Sequence, residues 1–273
     1  ETLNSNIILG SSVGGGCIAD ARSFSDETGK KYFYKSANGN AMFVKEAHGL
    51  EELDKAKAIR VPEVICYDND FLVLEWIEGG APKKDFFKKF GKAFAKLHKY
   101  YGEEFGFFED NFIGSSIQKN TPPCSSWIEF YYEHRLMFQL KLLQQKNKST
   151  PELEKALEKL RPVLKVLLQE CDEEPSLLHG DLWSGNYMID ASGEASLIDP
   201  AVYYGHREAD LAMTKLFGGF SNDFYKAYQE EYPLQDGYQK REPLYKLYHI
   251  LNHYTLFGGG YYSQAMSILN HYI

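Results

Sequence analysis

Four cysteines are scattered through 273 residues, and none stands in a C-x-x-C pair or beside a histidine cluster. That scarcity excludes a zinc module and a disulfide framework, and it reads as free thiols in a cytosolic chain. An excess of positive charge is also lacking. The net charge of −8 argues against nucleic acid as the main partner, because a phosphate backbone calls for a basic face. The same balance tolerates a cationic acceptor. No apolar run approaches a membrane span, and no charged-then-apolar leader opens the chain, so no membrane partner is expected. Low-complexity runs and internal repeats are missing. The chain starts at Glu1 rather than Met, as expected of a sequence lacking some N-terminal residues.

What is present is globular: 44% hydrophobic and 25% charged residues, enough for one large domain or two modest ones. Residues 1–78 read as a small β-rich lobe with one helix. Strands are expected at Lys31-Tyr32-Phe33-Tyr34-Lys35, from Val61 to Cys66 and from Phe71 to Trp76. Between them Asn40 can cap a helix with Phe43, Ala47, Leu50 and Leu53 on one face. Glu78-Gly79-Gly80-Ala81-Pro82 breaks the chain, with a hinge near 75–78. Residues 79–273 turn helical. Phe86, Phe90, Phe94, Leu97 and Tyr101 form one stripe. Ser126 and Glu129 form a capping box, and Thr150-Pro151 opens a helix burying Leu153, Leu157, Leu160, Leu164 and Leu167. Two more helices are expected around Asp236-Gly237.

The chemistry lies in Leu178-His179-Gly180-Asp181-Leu182-Trp183-Ser184-Gly185-Asn186, followed by Ile198-Asp199-Pro200. Tyr187-Met188-Ile189 and Ala195-Ser196-Leu197-Ile198 read as a hairpin turning at Asp190-Ala191-Ser192-Gly193. A hairpin alone accounts for Asp190. It does not account for an Asp and an Asn before it and an Asp after it. That spacing is the one a kinase uses. Asp181 receives the acceptor hydroxyl, while Asn186 and Asp199 hold Mg²⁺ on the phosphates of ATP. Mg²⁺ wants oxygen ligands, and a separate carboxylate orients and deprotonates the hydroxyl. The β-lobe, hinge and helical lobe with an embedded hairpin predict an α+β, bilobal, protein-kinase-like fold.

Gly14, Gly15 and Gly16 stand where a phosphate-covering loop belongs. Lys35 and Lys45 compete for the lysine that pairs with the phosphates. Lys35 is preferred because it ends a strand and Glu46 follows on an inward helix face, giving the ion pair that fixes the lysine. Glu75, Trp76 and Ile77 join the lobes, and their backbone groups are expected to meet the adenine edge. Cys17, directly after the glycines, reads either as an exposed thiol open to oxidation or as a small apolar filler.

Three features separate the chain from protein kinases: Trp183 two residues after Asp181, Pro200 after Asp199, and only ten residues between Asp199 and Asp210. Asp210 is expected to cap the next helix and tie the catalytic loop down. His179 through Asn186, Tyr204-Gly205-His206-Arg207-Glu208-Ala209-Asp210 and Leu216-Phe217-Gly218-Gly219-Phe220 resemble the fructosamine kinase (ketosamine-3-kinase) family. So do Asp110-Asn111-Phe112-Ile113-Gly114 and the stretch from Leu251 to Tyr261. The likeness spans nearly the whole chain. It implies ATP-dependent phosphorylation of the 3-hydroxyl of a ketoamine, free or protein-linked, and release of the amine, which is deglycation repair. His206 departs from the acid common in that family and puts the substrate rim there in question.

Candidate sugar contacts are Asn111, Trp127, Arg135, Trp183, Tyr204 and Arg207, because sugars favour an aromatic platform with polar groups. A core Trp and a structural Arg explain Trp127 and Arg135 equally well. Two other readings stay open: a kinase acting on an aminoglycoside or a choline-like alcohol, and a non-catalytic pseudokinase. Retention of Lys35, Glu46, Asp181, Asn186 and Asp199 speaks against the last.

Overall fold

Alternation along β3 (Lys31–Ser36) sets the first layer. Tyr32 joins Phe24 and Val73 on one sheet face, while Phe33 packs on the other. Lys35 shares the face of Phe33, because side chains two apart in a strand point the same way. The computed structural model describes residues 8–12, 20–37, 41–169 and 173–273. Within them β1 (Ile8–Ser12), β2 (Asp20–Ser25), β3, β4 (Val64–Tyr67) and β5 (Phe71–Glu75) form an antiparallel sheet in the order β1-β2-β3-β5-β4. α1 (Met42–Lys55) covers the Phe33 face with Phe43, Ala47, Leu50 and Leu53. Its first-turn neighbour is Ala41, and the expected cap Asn40 lies outside the described residues, as do Gly14, Gly15, Gly16 and Cys17. β4 begins at Val64 rather than Val61, after Pro62, which has no N–H to give a ladder.

Beyond Gly79-Gly80 the chain is mostly helical. Gly80 N–H donates to Ile189 O at 2.9 Å, so this passage is stitched to the hairpin. α2 (Phe86–Leu97) buries Phe86, Phe90 and Phe94. β6 (Asn111–Ile113) and β7 (Ser116–Gln118) pair, then α3 (Trp127–Phe130) continues through a π-helical stretch, Tyr131–Met137, into α4 (Phe138–Gln145). Ser126 Oγ accepts from Glu129 N–H at 3.4 Å, half of the expected capping box; the Glu129 carboxylate turns instead to Arg161 at 3.1 Å. α5 (Pro151–Gln169) starts at the expected proline, with Leu153 N–H on Thr150 Oγ1 at 3.3 Å. Leu168 replaces Leu167 on its buried face, because the helical period carries the stripe from Leu164 by four.

β8 (Ser176–Leu178) pairs with β11 (Tyr203–Gly205), and β9 (Tyr187–Ile189) with β10 (Ala195–Leu197). α6 (Glu208–Leu216), α7 (Asn222–Glu231), α8 (Tyr238–Phe257) and α9 (Tyr261–Tyr272) follow. α7 and α8 flank Asp236-Gly237 as expected, and α9 follows them. Gly258 and Gly259, both at positive φ, break the Tyr-rich run into α8 and α9. The result is the bilobal α+β architecture. Among the described residues no helix is long and apolar enough to cross a membrane.

Candidate active site

The loop between β8 and β9 is gripped from below. The buried Asp210 carboxylate accepts from His179 N–H at 2.7 Å and Gly180 N–H at 2.8 Å. His98 Nε2 lies 3.3 Å from the same carboxylate, and His98 Nδ1 lies 2.7 Å from Tyr228 Oη. Burial would raise the Asp210 carboxyl, but His98 and the loop amides hold it below the usual range. Asp210 therefore anchors the loop, as expected, but does not cap α6; it lies in the helix's first turn, and Arg207 holds the cap position. Gly180 has φ +83°, and a Cβ there would stand 1.9 Å from Ala201 O, so only glycine makes this turn. His179 Nε2 reaches Ile198 O at 3.0 Å, tying the loop to the segment that delivers Asp199.

Asn186 Nδ2 donates to Asp181 O at 2.8 Å and Asp181 Oδ2 at 3.2 Å. That fixes the Asn186 amide and leaves its oxygen without a partner among the described residues. Asp199 adopts φ +51°, a left-handed conformation uncommon outside glycine and most tolerated by Asn and Asp. Burial, and then the charge of Asp199, push the Asp181 carboxyl well above its ordinary range. Two carboxylates thus stand close enough to oppose each other's charge, an arrangement that a cation relieves.

Lys35 supplies one cation. Its Nζ lies 2.8 Å from Glu46 Oε1 and also bonds Asp199 Oδ1. Burial would lower the Lys35 ammonium, but Glu46 and Asp199 hold it above the usual range. Burial outweighs Lys35 at Glu46 and pushes that carboxyl up. Lys45 points elsewhere: it pairs with Glu109, which also meets His48 Nδ1 at 2.8 Å. At the hinge, Glu75 N–H is taken by Glu63 O at 2.9 Å, and Arg60 holds the Glu75 side chain at 2.6 Å. The expected adenine contact through Glu75 N–H is therefore already committed. Trp76 Nε1 donates to Glu78 at 2.9 Å, and Ile77 is buried.

Four of the six sugar candidates sit in the interior. Asn111 donates to Val202 O at 2.7 Å and accepts from Gln118 and Asn120. Trp127 is buried with Nε1 on Tyr245 Oη at 3.0 Å. Arg135 is 0% exposed; it bonds Asn120 at 2.9 Å and lies 3.9 Å from the Tyr203 ring centre. Arg207 forms a two-point pair with Glu173 at 2.8 and 2.7 Å. Apart from the buried Arg135 Nε, their side-chain polar groups are engaged with protein, and all four side chains lie in the interior. Tyr204 is half-buried and donates to Glu52 Oε1 at 2.8 Å. His206, placed at the substrate rim by sequence, is instead buried in a stack on Tyr245 at 5.6 Å and 13°.

Trp183 stays open, at 38% exposed. Its ring lies over Gly185, where a Cβ would meet it at 2.4 Å. Phe217 stands 6.3 Å from it edge-on, and His253 lies 4.9 Å from Phe217. Phe217 and His253 were not singled out from sequence. The signal was an exposed aromatic against the Gly218-Gly219 break, but 34 and 70 residues separate them from Trp183.

The family model for fructosamine kinase matches residues 2–273. This chain belongs to the fructosamine kinase family. It is 44% identical over 265 residues to a probable ketoamine kinase of Synechocystis, covering 94% of this chain and 88% of that protein. It is 42% identical over 273 residues to a chloroplastic protein-ribulosamine 3-kinase of Oryza sativa, covering 96% and 78%. A crystal structure of a putative fructosamine-3-kinase from Thermobifida fusca superposes with TM-score 0.89 at 32% identity, covering 97% of this chain and 93% of that one. The streptomycin–ATP complex of an aminoglycoside phosphotransferase shares the fold, with TM-score 0.63 at 14% identity over 99% and 93%. The fold is protein-kinase-like, and the chain is a nucleotide-using phosphotransferase with an alcohol acceptor.

Proposed function

We propose that this chain transfers the γ-phosphoryl group of ATP to the 3-hydroxyl of a ketoamine, a sugar adduct of a lysine-like amine. The observation that carries the reading is the relation of an open aromatic face to the reacting carboxylate. Trp183, two residues after Asp181, continues into Phe217 and His253. Such a face suits the ring or chain of a sugar, with the hydroxyl presented to Asp181.

Asp181 orients the hydroxyl and takes its proton. Lys35, held by Glu46, pairs with the nucleotide phosphates. The residues present fit Mg²⁺. Among the described residues no cluster of three His, Cys, Asp or Glu side chains can hold a metal. One carboxylate, Asp199, and one amide oxygen, Asn186, with phosphate oxygens, form the sparse set that Mg²⁺ uses. When bound, Mg²⁺ offsets charge developing on the phosphoryl oxygens. The proposed division of labour places nucleotide binding in residues 1–78, with the hinge near 75–78, and acceptor binding in 79–273.

Measuring ATP consumption over ribulosamines, fructosamines, aminoglycosides and choline tests this. Turnover confined to the ketoamines supports it. Turnover on an aminoglycoside or choline alone overturns it.

A further inference from the structure

Residues 83–99 run against the charge of the rest of the chain. They hold seven lysines and one acid, Asp85, in a protein of net charge −8. Three of the seven are already paired: Lys83 and Lys89 with Glu194, at 3.2 and 3.0 Å, and Lys99 with Glu231 at 3.0 Å. Lys84, Lys88, Lys92 and Lys96 have no ion pair among the described residues, and all but the half-buried Lys92 are exposed. They recur every four residues, so Lys88, Lys92 and Lys96 form one row along α2, with Lys84 just before it. Like charges at this spacing are mildly destabilising to a helix, and no acid on α2 offsets them. Asp85, beside Lys84, faces Lys89 at 3.6 Å, and Glu231 on α7, which feels Lys92 and Lys96, is held by Lys99 at 3.0 Å.

The opposite face of α2 is fully used. Phe86, Phe90 and Phe94 are buried, and Phe86 and Phe90 pack on Tyr187 of β9, the strand that follows Asn186. The lysine row therefore stands one helix width, about 10 Å, behind the catalytic hairpin. Phe87, the aromatic side chain between Lys84 and Lys88, is half-buried against Phe86 and Phe220 rather than presented among the lysines. A base-stacking platform and a membrane-inserting face are both lacking. A purely ionic row steers an acidic macromolecule and speeds its encounter.

We infer that the Lys84–Lys88–Lys92–Lys96 row is a docking strip for acidic proteins that carry the ketoamine, so that glycated acidic carriers are preferred over free ketoamines. The inference rests on the ketoamine reading given above. The test uses the full chain and a variant with all four lysines changed to Gln. Substrates are free fructoselysine, ribose-glycated serum albumin (acidic) and ribose-glycated lysozyme (basic), at low and at raised salt. The variant should match the wild type on fructoselysine and on glycated lysozyme. On glycated albumin its kcat/KM should fall about tenfold through KM, and the salt dependence seen in the wild type should vanish. Equal kinetics of the two enzymes on albumin would overturn the strip. So would an equal loss on fructoselysine, since that marks a general defect. Binding of a uridine oligomer or anionic phosphatidylglycerol vesicles, lost in the variant while albumin kinetics stay unchanged, would reassign the row and overturn it too. A wild type inactive on every ketoamine would remove the substrate reading itself, and the carrier with it.

Discussion

The hydroxyl of Tyr204 donates to Glu52 Oε1 at 2.8 Å, joining the segment after Asp199 to the helix that carries Glu46. Around it, Gly49 faces Pro200 and Val202, where a Cβ would stand 3.3 Å from each, and Lys45 and His48 share Glu109. Residues 45, 48, 49 and 52 lie on one face of α1. That face is docked on the larger lobe, which sets where Glu46 meets Lys35. Tyr204→Phe removes only the hydroxyl. A bond to a charged acceptor is worth about 1.5–3 kcal/mol. The variant should melt several degrees lower, lose several-fold in kcat and bind ATP more weakly. Unchanged melting and turnover would show that the bond does not position α1.

Lys35→Ala should lose nearly all turnover, because it removes a cation that meets both Glu46 and Asp199. Lys45→Ala should keep most activity, since Lys45 is directed to Glu109. Steady-state kinetics of the pair decide this; a larger loss at Lys45 would reverse the assignment.

Asp199→Asn should weaken Mg²⁺-dependent nucleotide binding, because a neutral amide replaces the carboxylate at the cation. Asp181→Asn should leave that binding intact and cut kcat by roughly 10²–10⁴, the usual weight of a general base. Calorimetric titration with Mg-ATP reads the first and turnover the second. Normal Mg-ATP affinity in Asp199→Asn would refute this division of roles.

Asp190 closes the β9–β10 turn. Its Oδ1 accepts from Ser192 N–H at 2.9 Å and Glu194 N–H at 3.1 Å, and its Oδ2 meets Arg60 at 3.1 Å. Burial would raise this carboxyl, but the hydroxyl of Ser192, the turn amides and Arg60 lower it to about 2. A lowered native value means stability that is present above the unfolded value, about 4, and lost as pH falls toward the native one. Asp190→Asn should therefore lower Tm at pH 7, with the gap to wild type closing between about pH 4 and pH 2. A gap that is constant with pH would remove the carboxylate's role.

The local parts of the site were legible because their geometry is short-range. Asp181, Asn186 and Asp199 flank one hairpin, and Lys35 and Glu46 follow from strand and helix periods in adjacent elements. Long-range partners were not legible. Tyr204 and Glu52 are 152 residues apart, and nothing local in either announces the other. The eight-residue spacing of Trp127 and Arg135 suggests one helical face, but the π-helical stretch at Tyr131–Met137 changes the period between them. Arg207 looked like a free binding cation because its partner, Glu173, lies 34 residues earlier. The bulk fold was legible from lobe order and aromatic stripes. The break between α8 and α9 is less legible because the Tyr-rich pattern resumes directly after the glycines at 258–260.

The most direct measurement is phosphorus NMR of ribuloselysine or fructoselysine with Mg-ATP, followed by assay of free lysine. The account predicts a new phosphomonoester signal that grows as ADP forms, then release of lysine, with Asp181→Asn silent in both. A wild type that leaves every ketoamine unphosphorylated while consuming ATP on an aminoglycoside or choline would contradict it.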